Sequence, residues 1–179
     1  MGTKAVSFPI IHVIGLPGVG KTTLAGNLAK KWKLPVYRIG NFRSKFPSSV
    51  MGEADAWVAL FIALAKKRWS NCILETTGLN RRETFLTAAI PFDRIVKIKL
   101  HAKKSVLYAR VRKKPKNEQG NDGWLFGDSY KDKHEFIKKL YGEFKKVPAT
   151  IIIDTGKLTA REVYQAAVKK LSFYLDRCR

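Results

Sequence analysis

Acidic side chains are scarce. The 179 residues contain 14 Asp and Glu against 35 Lys and Arg, for a formal charge of +21, and no carboxylate precedes Glu53. Residues 97–146 repeat the imbalance, with fifteen basic and six acidic side chains. Charge of this size repels itself in a compact chain, and a polyanionic partner is the usual reason to tolerate it. Cysteine is nearly missing: Cys72 and Cys178 stand far apart and in no CxxC or Cys/His cluster. That excludes a disulfide framework and a structural zinc site, and fits a reducing compartment. Long apolar runs are also missing. The stretch from Ala54 to Ala65 is interrupted and falls short of the ~20 residues a bilayer needs. No secretory h-region follows Met1, and Val6 stands where N-myristoylation at Gly2 would require Ser or Thr. The expected setting is the cytoplasm, or a host cytoplasm if the chain is viral.

Against these shortages, hydrophobic residues make up 45% of the chain, enough to bury a core in a single domain over 1–179. Short β-branched runs alternate with segments of helical period. Strands are expected at Pro9–Ile14, Leu34–Ile39, Asn71–Glu75, Ile95–Leu100 and Ala149–Ile153. Helices are expected at Lys21–Trp32, Gly52–Trp69, Arg81–Ala89, Lys103–Lys114, Asp132–Phe144 and from Thr159 to about Leu175. Asp132 with Glu135, and Thr159 with Glu162, have capping-box spacing. This alternation predicts an α/β fold of three layers, with a central parallel sheet of about five strands and helices on both faces. Lys97 and Lys99 interrupt the fourth strand and suggest a place near the sheet edge. His12, inside the first strand, reads as a core or edge histidine. Pro115–Ser129 has no period, and a lid over about 113–130 is the natural reading of so long an irregular stretch. Trp124 and Phe126 within it could stack on a base or close onto the protein body.

One motif is specific. Gly15-Leu16-Pro17-Gly18-Val19-Gly20-Lys21-Thr22 fits GxxxxGK[ST] at every fixed position, directly after an expected strand and opening an expected helix. Small residues let backbone amides turn inward toward phosphate oxygens, and the helix N-terminus adds its dipole. Lys21 then reaches the β- and γ-phosphates, Thr22 offers a hydroxyl to Mg²⁺, and Thr23 a second hydroxyl to the α-phosphate. Neither NKxD nor DxxG occurs, which excludes a guanine-reading switch, and helicase, ABC and AAA cores are hard to fit in one domain of this length. A small ATP- and Mg²⁺-dependent phosphoryl-transfer kinase remains.

The loop, the segment Ile73-Leu74-Glu75-Thr76-Thr77-Gly78-Leu79-Asn80-Arg81-Arg82, the helix Val106–Arg112 and the final Ile151-Ile152-Ile153-Asp154-Thr155-Gly156 together resemble the P-loop kinase superfamily that includes adenylate kinase and polynucleotide 5′-kinase. The resemblance implies that Glu75 holds Mg²⁺ through water or orients the acceptor. It implies that Arg110, with Arg112 beside it, clamps the donor, and that Thr155 borders the adenine. It further implies a nucleotide site formed by Gly15, Pro17, Gly18, Val19, Gly20, Lys21, Thr22 and Thr23. Hydroxyl-phosphorylating relatives place an Asp general base after the second strand. Here Asn41 stands in its place, and Asn cannot take a proton. Asp55, Glu53 or Glu75 then supplies the base, or the acceptor is itself a phosphate and needs none. Arg43 suits a phosphate through its fork, and Asn41, Arg43 and Arg81 form the expected acceptor side.

Three functions follow as expectations. The first is a kinase for a hydroxyl on a polynucleotide, DNA rather than RNA, either at a 5′ end or on a hydroxymethylated base such as the 5-hydroxymethyluracil that bacteriophage DNA-modifying kinases of this superfamily use. The second is a nucleoside or nucleoside monophosphate kinase. The third is a non-catalytic, ATP-regulated nucleic-acid-binding protein.

Overall fold

The computed structural model describes residues 8–113 and 132–177. The expected lid, with Trp124 and Phe126, lies outside them apart from its first residue. Five strands, β1 (Ile10–Ile14), β2 (Val36–Arg38), β3 (Ile73–Thr76), β4 (Ile95–His101) and β5 (Ile151–Asp154), form one sheet in the order β2-β3-β1-β4-β5. Every pairing is parallel. Among the described residues, seven α-helices connect or follow them: α1 (Lys21–Trp32), α2 (Ile39–Arg43), α3 (Val50–Lys66), α4 (Arg81–Ala89), α5 (Lys104–Arg112), α6 (Lys133–Lys146) and α7 (Ala160–Arg177). The expected α/β class, strand number and helix sequence are all present, with α2 as an addition.

Alternation along the strands sorts the core to two sides. Ile11, Val13, Ile73 and Ile98 pack with Leu24 and Leu28 of α1 and with Val163, Ala167 and Leu171 of α7. Ile10, Leu74 and Cys72 face the other way, onto Trp57, Leu60 and Leu64 of α3. Each of these large side chains, fully buried, contributes about 1.5–3 kcal/mol relative to exposure. Capping fixes several helix starts. The Ser49 hydroxyl accepts from the Gly52 amide at 3.0 Å, and Asp132 Oδ1 accepts from the Glu135 amide at 2.9 Å. Thr159 and Glu162 complete a reciprocal box before α7.

One expectation is corrected. β4 lies inside the sheet between β1 and β5, and the edges are β2 and β5. Lys99 is 5% exposed because its ammonium reaches the open end of α6, donating to the Lys145 and Val147 carbonyls at 2.9 and 2.8 Å. A lysine can cap a helix from an interior strand, so it does not mark an edge. Burial holds its pKa below the ordinary lysine value. His12 is a core residue of the central strand, fully buried.

Candidate functional site

Parallel strands deliver all their carboxyl ends to one rim of the sheet, and ligands of open α/β sheets collect there. β1 ends at Ile14 and the loop Gly15–Gly20 carries the chain into α1. Gly18 has φ +80°, and a Cβ there would meet the Leu107 carbonyl and Val111 Cγ2 at 3.0 Å. Gly20 has φ +99° at the helix N-cap. Both positions require glycine, so the loop motif is a backbone requirement before it is a ligand requirement. Lys21 bends back over the loop, donating to the Leu16 carbonyl at 3.3 Å.

β3 pairs directly with β1, which sets Glu75 beside the loop. The Thr22 hydroxyl donates to Glu75 Oε1 at 2.7 Å, and Arg38 Nε donates to Glu75 Oε2 at 2.9 Å. Glu75 is 8% exposed, so its charge is balanced mainly by these two donors. Arg38 was no site expectation. Its signal was available in its position next to the end of an expected strand, at the rim where ligands gather.

A cleft of about 460 Å³ opens in front of this pair. Lys21, Arg38, Arg43, Arg110 and Lys133 line it, and Glu75 is the one carboxylate among its described lining residues. Pro17, Gly18, Gly20, Thr22, Thr23 and Asn41 also border it. A smaller adjoining pocket of about 240 Å³ is formed by Gly18, Val19, Gly20, Thr23, Leu24, Arg110, Thr155, Leu158, Ala160 and Val163. Its mix of backbone, apolar side chains and one cation suits a flat heterocycle. Arg110 joins the two spaces, donating from Nη1 to the Thr155 hydroxyl at 3.0 Å and from Nη2 to the Thr155 carbonyl at 2.6 Å. The expected nucleotide residues Pro17, Gly18, Val19, Gly20, Lys21, Thr22, Thr23, Arg110 and Thr155 are thus brought together. Gly15 stays buried beneath the loop, where a Cβ would meet Val19 Cγ1 at 2.5 Å.

The acceptor side departs from expectation. Asn41 is exposed and borders the cleft as expected. Arg43 lines it too, but its fork is occupied: Nε and Nη2 donate to Glu53 Oε2 and Oε1 at 2.7 and 2.6 Å. Its Nη1 is buried without a hydrogen-bond partner among the described residues. Glu53 Oε1 also accepts from Trp57 Nε1 at 2.8 Å and Asn80 Nδ2 at 3.1 Å, so Glu53 is a structural carboxylate and a poor base. Asp55 does not reach the cleft. It lies on the exposed side of α3, because the helical period turns Ala56, Trp57 and Leu60 inward and leaves position 55 to solvent. Arg81 is likewise exposed, in the first turn of α4 and outside the cleft lining.

Beneath the rim, His12 Nε2 lies 2.9 Å from the Thr76 hydroxyl and 3.1 Å from Glu83 Oε1, while the Gly78 amide donates to Glu83 Oε2 at 3.0 Å. This buried cluster ties the chain after β3 to α4. Burial pushes the Glu83 carboxyl upward, but its hydrogen bonds and charge interaction with His12, with Thr76 and Gly78 adding to them, outweigh burial and hold it below the ordinary value.

Hard oxygen donors without a cluster of ligands fit Mg²⁺, which keeps its waters and takes one or two protein oxygens beside phosphate oxygens. Thr22 and Glu75 present those oxygens. No group of three or more His, Cys, Asp or Glu that could hold a metal alone occurs among the described residues.

Comparison with known proteins agrees with this geometry. Residues 11–75, from β1 through the loop to Glu75, match the ATPase family associated with various cellular activities (AAA). No curated protein matches the chain. Solved structures do. The shikimate kinase of Acinetobacter baumannii, in complex with shikimate, superposes with TM-score 0.63 at 14% identity, over 92% of this chain and 93% of that one. A gluconokinase from Sinorhizobium meliloti gives TM-score 0.60 at 16% identity, over 94% of both chains. The YorR protein of Bacillus subtilis, in complex with phosphorylated GDP, gives 0.57 at 19% identity, over 91% and 95%. The chain has the P-loop NTPase fold, in the full-length arrangement seen in these proteins.

Proposed function

We propose that the protein is an ATP- and Mg²⁺-dependent phosphotransferase acting on a small-molecule acceptor that carries its own anionic group. One observation supports this above the rest: the phosphate loop opens onto a cleft whose described lining residues include five basic side chains and a single carboxylate, Glu75, already bonded to Thr22. ATP would lie with its phosphates in the loop amides and Lys21, and its base in the pocket beside Thr155 and Leu158. Thr22 would hold Mg²⁺, with Glu75 reached directly or through water, and the ion would offset charge on the transferring group.

In the transfer, an acceptor oxygen bonds to the γ-phosphorus as the bond to the β–γ bridging oxygen breaks, and ADP leaves with that electron pair. An acceptor hydroxyl must also release its proton. Asn41 cannot take it, Glu53 is saturated with donors, and Asp55 faces solvent. Glu75 is left for that role. A phosphate acceptor, which brings no proton that must be removed, suits the same site without any base. Positioning and electrostatics do most of the work in either case. Arg110 bridges the donor pockets where charge develops, and Arg38 and Asn41 face the acceptor. The neighbouring kinases favour a small acceptor, since a gluconokinase and a shikimate kinase holding shikimate share the architecture.

A polynucleotide hydroxyl is the second reading, favoured by the charge of +21. Incubation with γ-labelled ATP and separate acceptors distinguishes them: nucleoside monophosphates, sugar acids, shikimate, 5′-hydroxyl DNA and hydroxymethyluracil DNA. Label on a small acid or nucleotide is the expected result. Label moving only to DNA would reject the small-molecule reading, and label on no acceptor would reject transfer altogether.

A further inference from the structure

A cluster of exposed basic side chains lies at the opposite pole from the cleft. Because all five strands run the same way, the connecting helices α1 and α3 both return to the amino-terminal rim of the sheet. They end there in Lys30, Lys31 and Lys33, and in Lys66, Lys67 and Arg68. All six side chains are exposed, and none has an ion-pair partner among the described residues. The chain holds no carboxylate from residue 56 to 74 and none before Glu53, so neither helix end has an acid of its own segment to answer it. The two ends belong to the two faces of the sheet, about 20 Å apart if each packing layer is about 10 Å. The rim between them is joined: Phe8 and Asn71 exchange hydrogen bonds at 2.9 and 2.8 Å, and the Phe8 ring packs on Trp32 at 5.9 Å. Half-buried Trp32 and Trp69 adjoin the cations on each side.

Basic residues at helix ends have an ordinary explanation in the helix dipole, and one or two per helix would satisfy it. The backbone argues for more. Lys33 has φ +53° and Arg68 φ +52°, with Trp69 at +53° after it. Left-handed positions just past a helix are where glycine is the stable choice. This chain places a cation at both, where glycine would be less strained.

We propose that this pole is a sequence-independent docking surface for nucleic acid, separate from the nucleotide cleft. A duplex presents one negative charge per about 1.7 Å, so about twelve phosphates span the distance between the two helix ends and can meet all six cations. Among the described residues the patch has no exposed large hydrophobic side chain of the kind that inserts into lipid: those of α3 are Val50, Met51, Val58 and Ile62, all before its basic end.

The test uses the intact chain and a fluorescently labelled duplex of about 20 base pairs, followed by anisotropy from about 50 to 200 mM KCl. We expect log K to fall with log salt at a slope of about −4.5 to −5.5, corresponding to five or six neutralised phosphates. The triple variant Lys30→Gln/Lys31→Gln/Lys67→Gln should weaken binding at least about tenfold and flatten the slope by about 2–3. The equal-charge control Lys103→Gln/Lys138→Gln/Lys169→Gln should change far less, and ATP binding should be unaltered in the pole variant. Lys33→Gly and Arg68→Gly are the decisive pair, since each should raise Tm while weakening duplex binding. The proposal is overturned if the control costs as much as the pole variant. It is equally overturned if the glycine variants bind as the parent does, or if the protein binds phosphatidylserine vesicles and no duplex.

Discussion

The Thr22 hydroxyl points at Glu75, 2.7 Å from Oε1, while Arg38 holds the other carboxylate oxygen at 2.9 Å. A residue from the first turn of α1, one from β3 and one from β2 are thereby locked into a single unit at the floor of the cleft. Removing only the charge tests it. Glu75→Gln keeps the shape and one acceptor, so the fold and the ATP affinity without Mg²⁺ should persist. The rate with saturating Mg-ATP should fall about 100-fold, the size seen when a preorganised electrostatic partner is lost. Steady-state kinetics against Mg²⁺ concentration would show it; an unchanged kcat would remove Glu75 from the chemistry.

Arg110 reaches two atoms of Thr155 at 3.0 and 2.6 Å through separate nitrogens of one planar fork, a fixed geometry that the compact ammonium of a lysine does not reproduce. Arg110→Lys should therefore behave almost as badly as Arg110→Ala, raising KM for ATP and lowering kcat together, by about tenfold or more in kcat/KM. If Lys restored activity, the charge alone would suffice and the geometry would be incidental.

How far the site was legible follows from the kind of information each residue needed. The loop is written in local chemistry: two left-handed glycines, a Lys and a Thr at fixed offsets name a conformation and its ligand at once. Glu75 and Thr155 were readable because parallel strands end at one rim. Arg43, Glu53 and Asp55 were not. Their roles depend on which side of α3 faces the sheet and on Asn80 arriving from a later segment to share Glu53. Lys99 misled for the same reason, because its partners on α6 lie 46 and 48 residues away in sequence.

The Arg43–Glu53 pair makes a stability prediction distinct from any catalytic one. Their side chains are 8% and 16% exposed, so losing one charge strands the other in a poor solvent. Glu53→Gln should cost about 2–4 kcal/mol and lower Tm by about 5–15 °C, because breaking a buried pair exceeds the worth of an exposed one. Thermal melts would measure it. A change below 1 °C would mean that water already reaches Arg43, and with it the unpartnered Nη1.

Glu83 gives a pH signature. Its carboxyl is held below the ordinary value of 4.5, where burial alone would raise it, by the interactions with His12, Thr76 and Gly78. A carboxyl with a folded pKa below its unfolded one binds fewer protons in the native state over that window. Its contribution is complete above the unfolded pKa and disappears as pH drops through the folded pKa. The parent protein should therefore lose stability below about pH 4.5 more steeply than Glu83→Gln, which has no such proton to take up. At neutral pH the variant should already melt lower, since His12 would face an amide in a buried pocket. Melts of both proteins from about pH 3 to 7 would test this, and parallel curves across that range would place the ionisation of Glu83 outside the energetics of the fold.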